Sequence, residues 1–485
     1  MIAIKFGGSS LATADRIRGA ARIVRGELER KPLVVVSALG DTTDRLLAAG
    51  EAALAGKVEL EEIERRHREL VDELGLRDVP IEPLIEQLAT LLHGVALIGE
   101  LTGRTRDLLL SHGERLAARV VAAALAAEGV PATAVDAWDA GLVTDSRHGE
   151  ASPLPGIESR IAEALSGREE VPVVTGFIAR DERGDVTTLG RSGSDYTASI
   201  LAAAVGAEEV QIWTDVDGVM SCDPSLDQRA AGLPLLSFEE ASELAYYGAA
   251  VLHPSTLVPA IRAGIPVRVL NTQKPGDEGT LILDRGRRLA RIAKSVVYKE
   301  DVALITLASP RLTSSVELLA LALARLANHG IRIHTATTSE ATVSLVTASG
   351  CDAELLEAAR ADLGELGEVE IEKSKAIVCV VGEELAGAVG ALEKIFGALS
   401  RSGIKAGMVS HSASEINVAL LVDEEEIEPT VRALHDLLLA SGETNAPSIS
   451  QQIAEYAAEH AGTNDDLDEQ LEKAGIEELA RMELV

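Results

Sequence analysis

The chain has 485 residues and carries 77 Asp plus Glu against 45 Lys plus Arg, a formal net charge of -32. A field of that sign repels nucleic acid and anionic membrane surfaces, and aromatics at 2% leave few platforms on which bases can stack. Cys222, Cys351 and Cys379 are too few and too scattered for a disulfide framework or a zinc site, and neither a signal-like leader nor an apolar run of about 18 residues is present. The expectation is a cytoplasmic protein of roughly two to four domains, without a membrane span and without a structural metal.

The opening Ile2-Ala3-Ile4-Lys5-Phe6-Gly7-Gly8-Ser9-Ser10 reads as a strand running into a Gly-rich turn. Ala14 to Leu28 follows as a helix, with Ile17, Ala20, Ala21, Val24 and Leu28 on one face. Paired glycines before a helix let backbone N–H groups converge on an anion, where the helix dipole also favours negative charge. Neither the Walker loop nor the dinucleotide turn fits, because Lys5 precedes the glycines and no third glycine follows in register. A plain tight turn is the alternative.

Apolar runs at 33–36, 132–135, 171–174, 210–213 and 266–270 alternate with helical stretches. Runs without polar alternation predict a mostly parallel sheet covered by helices on both faces, a three-layer α/β/α arrangement. Residues 50–125 break this rhythm with charged helical sequence and read as a helical subdomain or lid. A basic patch at Asp284-Arg285-Gly286-Arg287-Arg288 closes a first domain spanning 1–290.

The style then changes to a strand, helix, strand, strand series: Val302 to Leu307, Ser315 to Leu326, Ile331 to His334, and Ala341 to Val346. It recurs as Ala376 to Val381, Ala388 to Leu399, Ile404 to Val409, and Ile416 to Leu421. Even the joints match, Thr337-Thr338-Ser339-Glu340 answering the stretch from His411 to Asn417. This duplication predicts two ferredoxin-like βαββαβ modules, at 300–372 and 373–445, with an acidic helical or mobile tail at 446–485.

The stretch from Thr187 to Tyr196 (TTLGRSGSDY) combines glycines around Arg191 with Ser194 and Asp195 at the start of a small-residue helix. Arg191 offers a planar fork suited to a carboxylate. A structural Arg191–Asp195 ion pair is the competing reading. His253, before a proline, reads as a structural hydrogen-bonder, and Ser237 with Glu240 as a capping box.

The segments KFGGSS, VVVSALGDTTDRLL, LLSHGERLAARV, GFIARDERGDVTTLGRSGSDYTA, IWTDVDGVMSCDP, LSFEEASELAYYGAAVLHPSTLVPA and IPVRVLNTQKPGDEGT occur in the order seen in aspartokinases of the amino-acid kinase family, and the resemblance covers about residues 1–445. It implies the amino-acid kinase fold followed by two ACT modules. The implied reaction is transfer of phosphate from ATP, with Mg2+, to the β-carboxylate of L-aspartate, giving 4-phospho-L-aspartate for lysine, threonine and methionine synthesis. On this resemblance Lys5, Arg191 and Asp195 are the catalytic set. Ser37, Thr43, Glu114, Arg191, Ser194 and Asp195 contact the substrate, with Arg191 on its α-carboxylate and Glu114 and Asp195 near its ammonium.

Lys5, Gly7, Gly8, Ser9, Thr214, Asp215 and Lys274 correspond to the nucleotide side. Ser315, Ser339, Glu340, Glu415, Ile416 and Asn417 fall in the effector segments of the ACT modules, where lysine or threonine is the expected effector, in a homodimer or higher homo-oligomer. Met220 and Ser225 stand where many relatives carry a Tyr and an Arg, so the nucleotide contacts of that stretch are not carried over; Lys274 offers a replacement cation. His334 stands where lysine-sensitive relatives carry an acidic residue. Two other readings stay open: a kinase for another carboxylate, or an amino-acid sensor on the same fold that has lost catalysis.

Overall fold

A computed structural model of the chain describes residues 1–248, 254–283, 293–309, 314–382, 385, 390–411 and 416–440. His253, Glu415 and the tail from 446 lie outside the described residues. Two units result, the first made of Met1–Val219, Gly232–Ala241 and Val251–Arg285, the second of the described residues within Met220–Ala231, Ser242–Ala250 and Gly286–Val485.

In chain order the first part runs β1 (Ile2–Phe6), α1 (Ala14–Gly26), β2 (Pro32–Val36), α2 (Thr42–Leu54), α3 (Glu61–Glu73), α4 (Glu82–Ile98), α5 (Gly103–Ala127), β3 (Ala132–Val135), β4 (Val143–Thr144), α6 (Glu158–Leu165), β5 (Val171–Thr175), β6 (Ile178–Asp181) and β7 (Val186–Thr188). It continues through α7 (Gly193–Val205), β8 (Glu209–Thr214), β9 (Leu235–Ser237), α8 (Phe238–Tyr246), α9 (Pro254–Ala263), β10 (Val267–Asn271) and β11 (Thr280–Leu283). Eight strands form one sheet in the order β3-β5-β2-β1-β8-β10-β11-β9, parallel except where β10 meets β11. β1, β2 and β5 are buried at every position, as mainly apolar strands require when both faces are covered, with Lys5 and Thr175 the polar residues among them.

Parallel pairing of β2, β1, β8 and β10 lines up their C-terminal ends along one edge, the place where open α/β sheets bind ligands. The helices between residues 42 and 127 share the sheet's core: Ile4 and Phe6 cluster with Leu46, Leu88, Leu92 and Leu109. Truncating Leu88 to Ala should cost about 2–5 kcal/mol. Leu28, expected on the buried face of α1, is 40% exposed, because the helix ends at Gly26 and the chain turns through a 3-10 segment at Leu28–Arg30. The capping box at α8 forms as expected, with Glu240 Oε2 accepting from Ser237 N at 2.9 Å and Ser237 Oγ from Glu240 N at 3.1 Å.

The second unit contains β12 (Ser295–Ala308), α10 (Ser315–Asn328), β13 (Ile333–Thr338), β14 (Thr342–Thr347), α11 (Ala353–Leu363), β15 (Glu368–Val381), α12 (Ala391–Arg401), β16 (Met408–His411), β17 (Asn417–Asp423) and α13 (Ile427–Ala440). Its six strands make one antiparallel sheet in the order β13-β14-β12-β15-β17-β16. β13 starts at Ile333, later than the apolar run at 331–334 suggests, and extends through the β-branched Thr335, Thr337 and Thr338. β16 likewise begins at Met408 rather than at Ile404.

The long strands β12 and β15 pair along their whole length, with register shifts between Lys299 and Leu304. Asp301 and Ser374 take the left-handed backbone conformation at this break, φ 57° and 56°. On one side Val296 packs with Val378, Val380, Ile395, Leu420 and Val431; on the other, Ile305 and Leu307 pack with Leu318, Leu326, Leu345 and Leu356. Two cores thus share two strands.

The segment Met220–Ala231 is fastened into this unit by α13. His435 Nδ1 meets Asp227 Oδ2 at 2.8 Å, His435 Nε2 meets Ser221 Oγ at 2.9 Å, and Ser221 Oγ also accepts from Ala231 N at 3.0 Å. Arg229 grips Asp227 at 2.6 Å and Asp436 at 2.7 Å, and holds the Asp227 carboxyl well below the usual carboxylate range.

Candidate active site

The Gly7-Gly8 turn sits at the C-terminal end of β1. Gly7 N donates to Trp213 O at 3.2 Å, tying the turn to the end of β8. Gly8 lies so close to the loop after β2 that a Cβ there would come within 2.9 Å of both Ala38 O and Gly40 O. Only glycine permits that approach. Ser37 N donates to Phe6 O at 3.2 Å and Gly40 N to Gly8 O at 3.0 Å, so the loop that bears Ser37 and leads into α2, where Thr43 sits, is held against the turn.

Lys5 is 9% exposed, and its Nζ lies 2.6 Å from Oδ1 of Asp195, in the first turn of α7. Asp195 therefore pairs with Lys5 and not with Arg191, which is exposed and makes no ion pair among the described residues. α7 begins without a side-chain cap: Ser192, at φ 54°, gives none. Ser194 is buried against Gly176, where a Cβ would lie 2.6 Å from Ser194 Oγ. Gly176 lets the N-terminus of α7 settle onto the strand edge, presenting its dipole where an anion is favoured.

α5 carries Glu114 into the same edge. One oxygen accepts from Ala38 N at 3.1 Å, while Oε2 is buried with no partner, and burial pushes the carboxyl up to about 8. Its neighbour His112 also has an unpartnered buried Nε2 and is driven down to about 4 by burial. Toward β8 and β10, Ser10 Oγ lies 3.0 Å from Thr272 Oγ1, and Thr272 N donates to Thr214 O at 2.9 Å. Asp215 is exposed, with Oδ1 3.2 Å from Thr214 Oγ1, and Lys274 Nζ reaches Asp217 at 2.6 Å.

The effector segments belong to the second unit. Ser339 and Glu340 form the exposed β13–β14 turn, with Ser339 N donating to Thr342 O at 2.9 Å. Ser315 starts α10; Ile416 and Asn417 lead into β17, where Asn417 donates to Glu243. β12 and β15 stand between β14 and β17, so these segments do not meet within one chain. His334 lies against Tyr246 and Tyr247, ring centroids at 4.3 and 5.4 Å, with Lys299 Nζ 3.5 Å from its Nε2; burial, then Lys299, lowers it to about 4.

The model of the amino acid kinase family matches residues 1–271, and that of the ACT domain residues 378–438. Aspartokinase 1, chloroplastic, of Arabidopsis thaliana is 38% identical over 93% of this chain and 82% of its own length, and lysine-sensitive aspartokinase 3 of Escherichia coli is 33% identical over 90% and 99%. This chain belongs to the aspartokinase family. Among solved structures, E. coli aspartokinase III in complex with aspartate and ADP superposes with a TM-score of 0.78 at 32% identity, covering 90% of this chain and all of that one. The same enzyme with lysine and aspartate gives 0.73.

In this aspartokinase-family chain, nothing in the structure explains the departures at Met220 and Ser225. Both fall in the segment built into the second unit, where Met220 O accepts from Ser295 Oγ at 2.9 Å and Ser225 closes a turn on Asp223 at 2.7 Å. Sequence reading missed Gly176, Asp107 and the group Cys222, Asp227 and His435, whose potential ligand atoms lie within 4.8 Å of one another. Asp227 and His435 are already spent on each other, on Arg229 and on Ser221, and burial pushes the Cys222 thiol up to about 11. Gly176 had a visible signal, a glycine directly after an apolar strand.

Proposed function

We propose that this chain phosphorylates the β-carboxylate of L-aspartate with ATP, yielding 4-phospho-L-aspartate and opening lysine, threonine and methionine synthesis under feedback through its ACT modules. Catalysis is assigned to the first domain, 1–290, and regulation to the modules at 300–372 and 373–445. The observation that carries the reading is the buried Lys5–Asp195 pair at the junction of the Gly7-Gly8 turn and the uncapped start of α7. Two anions must be brought together here, and the site offers one buried cation, the close-packed Gly7-Gly8 turn, and a helix dipole.

The acceptor carboxylate is ionised at neutral pH and needs no general base. Lys5 neutralises charge building on the transferring phosphoryl group, and Asp195 holds the Lys5 ammonium in place. Gly7, Gly8 and Ser9 cradle the phosphates. Thr214, Asp215 and Lys274 lie on the nucleotide side, and Mg2+ arrives as part of the ATP substrate, supplying further charge neutralisation. Arg191, exposed on its loop, closes on the α-carboxylate, Ser194 with Ser37 and Thr43 contributes hydroxyls, and the unpartnered Glu114 oxygen receives the substrate ammonium. That ammonium restores the carboxylate charge that burial suppresses.

Ser315, Ser339, Glu340, Ile416 and Asn417 line effector segments for lysine or threonine. Because they stand on either side of the central strands, we assign their union to a second copy of the chain in a homo-oligomer. Three free cysteines agree with a cytoplasmic setting, and among the described residues no helix is long and apolar enough to cross a membrane. Trapping the acyl phosphate with hydroxylamine in the presence of MgATP tests the reading: hydroxamate is expected from aspartate and not from glutamate. Product from glutamate supports a different carboxylate kinase, and none from either supports a sensor.

A further inference from the structure

One buried carboxylate has no place in the reaction just described. Asp107, near the start of α5, is 1% exposed. Its Oδ1 accepts from Thr188 Oγ1 at 2.7 Å, and its Oδ2 accepts from Thr188 N at 3.3 Å and Gly149 N at 3.0 Å and lies 3.0 Å from His148 Nδ1. These partners come from two segments remote in sequence, the end of β7 and the loop before Ser152. An ordinary helix carboxylate would face water or a neighbour one turn away.

Both segments shape the turn that carries Arg191. Thr188 ends β7 and leads through Gly190 into Arg191, and its carbonyl accepts from Ala151 N at 2.9 Å. Gly190 takes φ 76°, and a Cβ on it would sit 3.3 Å from Gly149 O, so the backbone that Asp107 holds at Gly149 forms the wall against which the Arg191 turn rests. Asp107 and Glu114 are two helical turns apart, hence on one face of α5. Glu114 fixes Ala38, in the loop that runs from Ser37 to the start of α2 at Thr42; Asp107 fixes Thr188, the last residue of β7 before the turn of Arg191 that leads into α7.

We infer that Asp107 is a positioning residue for the acceptor amino acid, setting the Thr188–Arg191 turn through Thr188 and Gly149, with His148 closing the carboxylate off from solvent. The inference rests on the reading of Arg191 as the clamp on the α-carboxylate. Charged hydrogen bonds to backbone donors are strong and directional, so replacing one carboxylate oxygen by an amide turns an acceptor toward a donor and releases the turn. The nucleotide contacts lie on other strand ends and should not notice.

The test is steady-state kinetics on the full chain. Asp107→Asn should raise the aspartate KM about tenfold while the ATP KM stays within about twofold. Arg191→Ala alone should also raise the aspartate KM, and adding Asp107→Asn to it should add less than about twofold, because the two act through one turn. A full tenfold factor repeated in the Arg191→Ala background, or an unchanged aspartate KM in Asp107→Asn, overturns the inference. An unchanged aspartate KM in Arg191→Ala overturns the clamp reading instead, and the inference with it. Should Asp107→Asn fail to fold, His148→Ala, on a side chain 20% exposed, removes a single partner. It should raise the aspartate KM about threefold with the ATP KM held, and His148→Asn should recover most of the loss; equal changes in both KM values, or none, overturn the inference.

Discussion

Each unit buries a polar cluster, and the two are built in opposite ways. In the second unit the buried Ser221, His435 and Asp227 are each engaged at more than one point, and their chain ends at the surface on Arg229 and Asp436. In the first, Lys5 and Asp195 pair, but Glu114 keeps an oxygen and His112 a ring nitrogen buried with nothing to bind. An unmet buried polar atom costs about 1–3 kcal/mol. The unmet Glu114 oxygen beside the Lys5–Asp195 pair is the feature that the proposed reaction uses, whereas the closed network, however much it looks like a Ser-His-Asp relay, fastens one piece of chain to another.

The largest effect that would break this contrast is on turnover. Lys5→Ala should lower kcat by about 10^3, with a much smaller change in the aspartate KM, measured by hydroxamate formation. A kcat within tenfold of wild type would remove Lys5 from the chemistry and make the two clusters equivalent. His435→Ala, in the closed network, should instead lower the melting temperature by a few degrees and leave kcat without effector within about twofold; a large loss of kcat at unchanged stability would show that network to be functional.

The smallest effect is the pH dependence of stability at Glu114. Its folded pKa is raised above the unfolded value, so it contributes stability that is complete below pH about 4.5 and is lost as pH rises through about 8. The wild type should therefore lose more stability than Glu114→Gln between pH 6 and pH 9, and saturating aspartate should reduce the difference. Parallel melting curves for the two proteins across that range would mean that the Glu114 oxygen is not poised as described.

Much of the first unit was legible because its signals are local. A strand followed by Gly7-Gly8, mainly apolar runs, and a glycine-flanked Arg191 before a small-residue helix each report on a few adjacent residues. What stayed hidden are meetings set by topology. Arg191 stands closer in sequence to Asp195 than Lys5 does, yet parallel pairing of β1 with β8 and the seating of α7 bring Lys5 to Asp195 across most of the domain. Asp107 looked like any acid in a charged helix, and nothing near His435 announces Asp227. In the second unit the repeat was plain, but the fusion of its two copies through β12 and β15 was not. A strand's length is poorly marked when Asp301 and Ser374 interrupt its pattern at the point where it changes cores.

That fusion bears on how the molecule is taken apart. Residues 295–299 precede the first copy in sequence yet pair with 377–381 of the second and place Val296 in its core. A recombinant piece starting at residue 373 would therefore come away with a bare flank on β15, prone to capture a foreign strand. An excision that keeps β12 and β15 paired begins before Ser295 and runs through α13, but it still leaves behind Cys222 and the Ser221 and Asp227 partners of His435.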